Sequence, residues 1–435
     1  MMNLRPFQIV LLASFALVAF IALIFLGGYQ ATPSQEEVVY GTEVIVWGTL
    51  EDSVFDAVFR NIAQEDKAFG VVKYFSVPEQ DFDDELINAI AEGRSPDMVI
   101  LSADKLVKHR AKLLAIPYES ISMRDYRNTY IDGAEIFTLR DGIYAIPFAV
   151  DPLMLYWNRD LFASSGLAQA PTSWEAIVAN VVPRITITDT NRNIVQSALA
   201  FGEYRNVSHA KEVLMLLALQ SGSTMVTESD RGYSVGLNQS SAQGARAPLE
   251  AALQFFTDFS NTNSPAYSWN RAMPEDKNSF LSGDLALYFG FGSEAEDIDR
   301  KNPNLNFDIA MVPQGGAATA LRTYGEFYGF AIPRASANAQ GAFAAAQTIA
   351  SAKNADELTR ELNLSPVRRD LIAQGDSNQY RSAMMQSALI ARGWLDPAPT
   401  ESDAIFMRMV EDIVSNRIRI GGAVGDAINR LILEY

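Results

Sequence analysis

Hydrophobic and polar positions along this chain change period in a regular order. Residues 43–47 form a short β-rich run that ends at Gly48, and residues 54–69 carry apolar side chains at helical spacing. Residues 71–77 predict a second strand and 81–92 an amphipathic helix. Gly93-Arg-Ser-Pro96 then breaks the chain before a third apolar strand at 97–101. Strands that alternate with helices predict βαβ units and a largely parallel sheet. Ligands of such sheets sit just beyond the carboxyl ends of the strands. Thr49, Glu51, Asp52, Asp104 and Lys105 are therefore candidates for one wall of a cleft.

Residues 142–158 are a long extended stretch. Pro147 and Pro152 are expected to break its ladder, which suits one strand crossing between two lobes. Residues 184–201 predict a hairpin with Asp189-Thr-Asn-Arg-Asn193 at its turn. Helices are predicted at 207–221 and 246–260, and strands at 285–289, 306–312 and 327–333. An Ala-rich helix at 337–353 follows, and the final 70 or so residues read as mostly helical. No internal repeat is visible.

One segment belongs to a different solvent. Residues 7–28 contain no charged side chain, and about 20 helical residues span the roughly 30 Å of a bilayer's hydrocarbon. Arg5 precedes the run; Glu36 and Glu37 follow it. This predicts residues 1–6 in the cytoplasm, 7–28 as an anchor, 29–41 as a tether and an extracytoplasmic body. The rival expectation is a cleaved signal segment and a secreted body.

Composition narrows the chemistry. The chain has 435 residues, no cysteine, two histidines and a formal net charge of −17. Without cysteine there is no disulfide, thiolate metal site, cysteine nucleophile or lipid attachment through a thioether. His109 and His209 alone make a multi-histidine metal centre improbable in composition, and no metal or cofactor is expected. So acidic a body repels phosphate backbones, which argues against nucleic acid. His109 reads as a solvated helix residue and His209 as a helix start.

The short motifs are mostly structural. Gly290-Phe-Gly-Ser-Glu-Ala295 matches G-x-G-x-x-A, but no clear crossover helix leads to Asp308; a tight strand-to-helix turn presenting Glu294 to a cleft is the better reading. Asp189–Asn193 opens like a calcium loop, yet Ile194 and Ala200 stand where Gly and Glu are needed. No nucleophile elbow, zinc-protease helix or P-loop occurs. Trp269, Tyr324, Phe327, Tyr328 and Trp394 fall at element ends with polar neighbours. Sugar rings have apolar faces and hydroxyl rims, so aromatic platforms among carboxylates suit a carbohydrate site.

Three stretches together resemble a known family: Val44-Ile-Val-Trp47 leading to Glu51-Asp52; Pro96-Asp-Met-Val-Ile-Leu-Ser-Ala-Asp104-Lys105; and residues 142–151 continuing through 155–160 to Pro171-Thr-Ser-Trp-Glu175. Residues 280–289 and 327–333 add two further segments. Over roughly residues 42–400 the chain resembles the extracellular solute-binding proteins of family 1, the maltose-binding-protein group. That resemblance implies an α/β, two-lobe periplasmic-binding-protein-like fold with discontinuous lobes, here 42–149 with 312–363 and 152–310 with 366–435. It implies a hinge acid at Asp151, first-lobe polar groups at Glu51, Asp104 and Lys105, and second-lobe groups at Glu203 and Tyr204. Trp269, Glu294 and Trp394 are further candidates, with Tyr324 from the aromatic pattern. Leu101 stands where maltodextrin binders of the group carry Trp, so a maltodextrin ligand is not implied.

The expected function is then a substrate-binding protein of an ABC importer, taking a sugar or other polyhydroxylated solute and delivering it to permease subunits. A membrane-anchored carbohydrate-active enzyme and a ligand-sensing ectodomain are the alternatives.

Overall fold

The first third of the fold is built from parallel strands whose connecting helices each bury one stripe. The computed structural model describes residues 40–435 apart from 192, 231, 241–246, 317 and 319. The apolar run at 7–28 lies outside these described residues. Strand β1 (Val44–Gly48) pairs in parallel with β2 (Val72–Ser76) and β3 (Met98–Ser102). Helix α1 (Asp52–Glu65) returns between β1 and β2, burying Phe55, Val58, Phe59 and Ile62 at i, i+3, i+4 and i+7. Helix α2 (Phe82–Ala91) buries Phe82, Leu86 and Ala89 in the same way.

The centre of the sheet departs from the parallel expectation. β4 (Ile146–Asn158) runs for thirteen residues, all buried but Trp157. β5 (Ile194–Leu199), the hairpin β6 (Ser223–Ser229) and β7 (Gly232–Ser240), β8 (Leu285–Phe291), β9 (Phe307–Ala310) and β10 (Thr323–Ala331) follow. The main sheet runs β2-β1-β3-β10-β4-β8-β5, with Ile187–Thr188 at its far edge. Pairings β3/β10, β10/β4 and β4/β8 are antiparallel, and β8/β5 is parallel. A mixed sheet results because β4 and β10 run against their neighbours.

Neither proline ends β4. The strand changes partner at Pro152: residues up to 152 pair with β10, and those from Leu153 pair with β8. Pro147 faces Gly329, where the β10 register shifts. Each proline falls where the ladder is already interrupted, so the missing donor costs little.

Two segregated apolar cores flank this central region. One comprises clusters drawn from residues 40–150 and 327–391, the other a cluster from 153–312 with Tyr324, Trp394 and the last helices. Those helices are α3 (Gln379–Ile390), α4 (Pro399–Val414) and α5 (Ile420–Glu434). The hairpin β6–β7 lies on the second core through Met225, Val235 and Leu237.

The 189–193 turn closes as expected: Asp189 accepts from the backbone of Asn191 and Asn193 at 2.7 and 2.8 Å. His209 sits at a helix start, the residue before Ala210–Gln220. His109 is not solvated. It is fully buried, with Nε2 2.7 Å from Asp83, because its short helix packs on α2 beside Phe82.

Candidate functional site

β4 and β10 leave one core and enter the other at the same level. On β4, Val150 belongs to the first core and Leu153 to the second. On β10, Tyr324 belongs to the second core and Phe327 to the first. Between them lie Asp151-Pro152 and Gly325-Glu326, and the register sets Asp151 opposite Glu326 and Pro152 opposite Gly325. Opposed side chains in such a ladder share a face, about 5 Å apart at Cβ. Gly325 permits this approach, since a Cβ there would lie 2.9 Å from both Val150 Cγ2 and Ala391 Cβ.

On its other side β10 pairs with β3, Tyr328 with Ser102 and Gly329 with Leu101. Continuing that register by two residues brings Asp104, in the turn Ala103–Lys105 that follows β3, beside Glu326. Three carboxylates, Asp104, Glu326 and Asp151, therefore form a row across three neighbouring chain segments.

The electrostatics follow from that row. Burial, then Asp104 and Asp151, push the Glu326 carboxyl well above the usual carboxylate range. Burial raises Asp104 as well, with Asp396 adding to the shift. Burial also lifts Asp151 to about 7, with Glu294 adding to it; the backbone N–H of Ser293, 3.1 Å from Oδ1, works in the opposite direction. Asp104, Glu326 and Tyr328 keep part of their surface accessible although protein surrounds them, as side chains lining a narrow cleft do.

The second core supplies the opposite wall. The turn after β8 folds Glu294 back on itself. It accepts from the Phe291 N–H at 2.8 Å and the Tyr288 hydroxyl at 2.8 Å, with His209 Nε2 at 2.7 Å and Lys277 Nζ at 2.6 Å. Burial alone would raise this carboxyl, but His209 and Lys277 outweigh it and hold it at about 2. Gly290 makes room for that fold: a Cβ would meet Tyr288 Cε1 at 2.5 Å and Glu294 Oε1 at 2.8 Å. The dinucleotide-like glycine pattern thus serves a carboxylate turn. Lys211, at the start of Ala210–Gln220, bonds to Asp396 at 3.2 Å, and both act electrostatically on Asp104 across the junction.

The residues expected from sequence divide clearly by place. Asp104, Asp151 and Tyr324 converge at the junction, where Tyr324 feels Glu212, Asp104, Glu326 and Asp396. Glu294 lies beside Asp151 within its own ion network. Lys105 is next to Asp104 in sequence, but its ammonium pairs with Glu79 and lies 5.2 Å from the Phe82 ring centre. Glu51 is exposed before α1 and accepts from Ser53. Glu203 faces Arg271 at 3.4 Å, and the Tyr204 hydroxyl donates to Asp403 at 2.5 Å. Trp269 and Trp394 are buried in the second core, Trp394 edge-on to Phe406. Glu326, Lys211, Glu212 and Asp396 join the site without a sequence signal that singled them out. Among the described residues no three His, Cys, Asp or Glu side chains are placed to hold a metal ion.

A second contact crosses the junction at its rim. Arg110, near the first core, reaches the β6–β7 hairpin, with Nη1 2.6 Å from Glu228 and 3.0 Å from the Tyr233 hydroxyl. The Arg140 N–H donates to Glu228 at 2.9 Å, and its guanidinium pairs with Asp230. A hollow of about 1090 Å³ lies elsewhere, between residues 254–263 and 413–421, away from the carboxylate row.

Comparison with known proteins agrees with this architecture. Residues 58–356 match the model of the bacterial extracellular solute-binding protein family. Binding proteins of Brucella abortus and Brucella suis are 22% identical over 242 residues, 55% of this chain and 55% of theirs. The match thus spans about half the length of these curated relatives. Among solved structures, a cyclo/maltodextrin-binding protein complexed with maltotetraose superposes with a TM-score of 0.73 at 16% identity, covering 90% of this chain and 97% of the other. The GacH receptor of Streptomyces glaucescens, solved unliganded and with acarbose, gives 0.68 at 18% identity, covering 91% and 99%. A solute-binding protein of Thermotoga lettingae bound to α-D-tagatose gives 0.66 at 15%, covering 91% and 100%. These likenesses establish an α/β two-lobe fold.

Proposed function

This chain belongs to the bacterial extracellular solute-binding proteins, and from that premise we propose that it captures a carbohydrate or other polyhydroxylated solute between its two lobes for an ABC importer. The observation that carries the reading is the junction itself. Two antiparallel strands pass between two separate cores and bring carboxylates and tyrosines together there, with Glu326 and Tyr328 keeping part of their surface accessible. Carboxylates accept from ring hydroxyls, and Tyr324 and Tyr328 offer apolar faces to C–H surfaces. Bound sugars in the fold's solved relatives support the same class of ligand.

Binding in such a site is a population shift. A ligand that touches both lobes only when they are shut favours the shut form by its differential affinity. We assign lobe one to 42–149 with 312–363 and lobe two to 152–310 with 366–435, Tyr324 of the first packing in the second core and Val367, Ala388 and Ala391 of the second packing in the first. We place the body outside the cytoplasm, with residues 7–28 as its membrane anchor, and the shut form as the one that docks on permease subunits.

A thermal-shift panel of neutral mono- and oligosaccharides, including maltotetraose and tagatose, tests the reading. At a ligand concentration 100 times its Kd a genuine solute stabilises by about 2.7 kcal/mol, a shift of several degrees. Small-angle scattering should show the stabilising sugar compacting the protein. If amino acids and peptides stabilise it and no sugar or polyol does, the carbohydrate assignment is wrong.

A further inference from the structure

The row Asp104–Glu326–Asp151 is unusual as a floor for a neutral sugar. Like charges set directly opposite each other destabilise a ladder, so with burial the Asp151/Glu326 pairing holds protons on the row and makes ionising it costly in the empty protein. Lys105 and Lys211 act on Asp104 only from a distance. Among the described residues none of the three forms an ion pair: Lys105 turns to Glu79, Lys211 to Asp396, and His209 and Lys277 to Glu294. Glu212, from the opposite wall, adds a further acid. Asp104 Oδ1 has no accessible surface and finds no hydrogen-bond partner among the described residues. An orphaned buried acceptor is a cost that a ligand's donor removes.

The missing partner is defined by what would satisfy all of this at once. It must donate to several carboxyl oxygens and bring a positive charge that replaces the protons held there. A hydroxyl donates once and also presents lone pairs to the carboxylates. An ammonium has three donors, no acceptor and a full charge.

We propose that the cleft floor selects a solute bearing a protonated amine among its hydroxyls, such as an amino sugar, with the amine seated among Asp104, Glu326 and Asp151. This rests on the junction being the solute site. The hydroxyls of the same ligand remain for Tyr324, Tyr328 and the second-lobe wall, so the amine adds selectivity to a polyol site rather than replacing it. The carboxyls that hold protons in the empty protein release them to solvent and become the ligand's counter-ions in the filled one.

Calorimetry on the full-length protein at pH 7 with matched pairs decides this: glucose with glucosamine, galactose with galactosamine, and cellobiose with the chitosan dimer. The expected result is at least one amine binding tenfold or more tighter than its neutral twin. Glu326→Gln should erase most of that ratio while leaving the melting temperature equal to or above that of the parent. Asp104→Asn provides the same ratio should the Gln variant fail to fold. If the neutral member binds as tightly in every pair, or the ratio survives in both variants, the amine proposal is overturned while the solute-binding reading stands. Silence from all six compounds also overturns it, and the broader reading falls with it only if the neutral panel described above is silent too.

Discussion

Asp151 is a carboxyl whose proton is held by burial, and that fixes the sign of its effect on stability. Its folded value of about 7 lies above its ordinary 3.8. The folded chain therefore keeps a proton that the unfolded chain has released, and stability falls as pH rises from about 4 to about 7. Glu326 and Asp104 push in the same direction. Glu294 does the reverse: its carboxyl is lowered from 4.5 to about 2, so its contribution is full above 4.5 and is lost as pH falls toward 2. Asp151→Asn keeps an acceptor for Ser293 and removes the charge. It should stabilise the ligand-free protein at pH 7.5 by about 1–4 kcal/mol and by much less at pH 4.5. Urea melts at the two pH values check this; equal melts at pH 7.5 would contradict the buried, proton-holding carboxyl.

At the scale of elements, the β6–β7 hairpin gives the second lobe a grip on the first. Arg110 meets Glu228 and Tyr233 there while Asp141 holds its other side at 2.8 Å. A partly buried charge network of this kind contributes about 1 kcal/mol to the shut form. Arg110→Ala should weaken solute binding about fivefold, through a faster off-rate, and enlarge the radius of gyration of the ligand-free protein. A change in neither would remove the hairpin from the closing motion. This hairpin is also the element that periodicity did not reveal. Its strands are rich in Ser, Thr and Gly, and β6 buries only Met225. By contrast α1 and α2 were legible because their apolar stripes face one core at helical spacing. β4 was legible as a crossing strand, but not as an unbroken one. Whether a proline interrupts a ladder depends on where the partner strands change, which a single strand's sequence does not contain. Glu326 escaped notice for a related reason. In Tyr324-Gly-Glu-Phe-Tyr328 it looks like the polar face of an ordinary strand. Only the register of β10 against both β4 and β3 makes it the middle of a row.

For the whole molecule, the position of that row matters as much as its charge. Asp151 and Glu326 stand on the two strands that join the cores, at the four residues assigned to neither apolar cluster. On the proposed reading, the same side chains that would meet the solute lie at the joint between the lobes. Once ionised, their mutual repulsion would act as a spring. Ionising them preloads the hinge, and a counter-charge or a shared proton relaxes it. Amide exchange at 150–153 and 324–327, corrected for intrinsic pH effects, should quicken between pH 5 and 8 in the empty protein, and unaltered protection would show that the spring carries no load. A pliable hinge in the empty state and a stiff one in the filled state would then need no moving part beyond two opposed carboxylates, and any retuning of the ligand's charge would retune the stiffness of the joint with it.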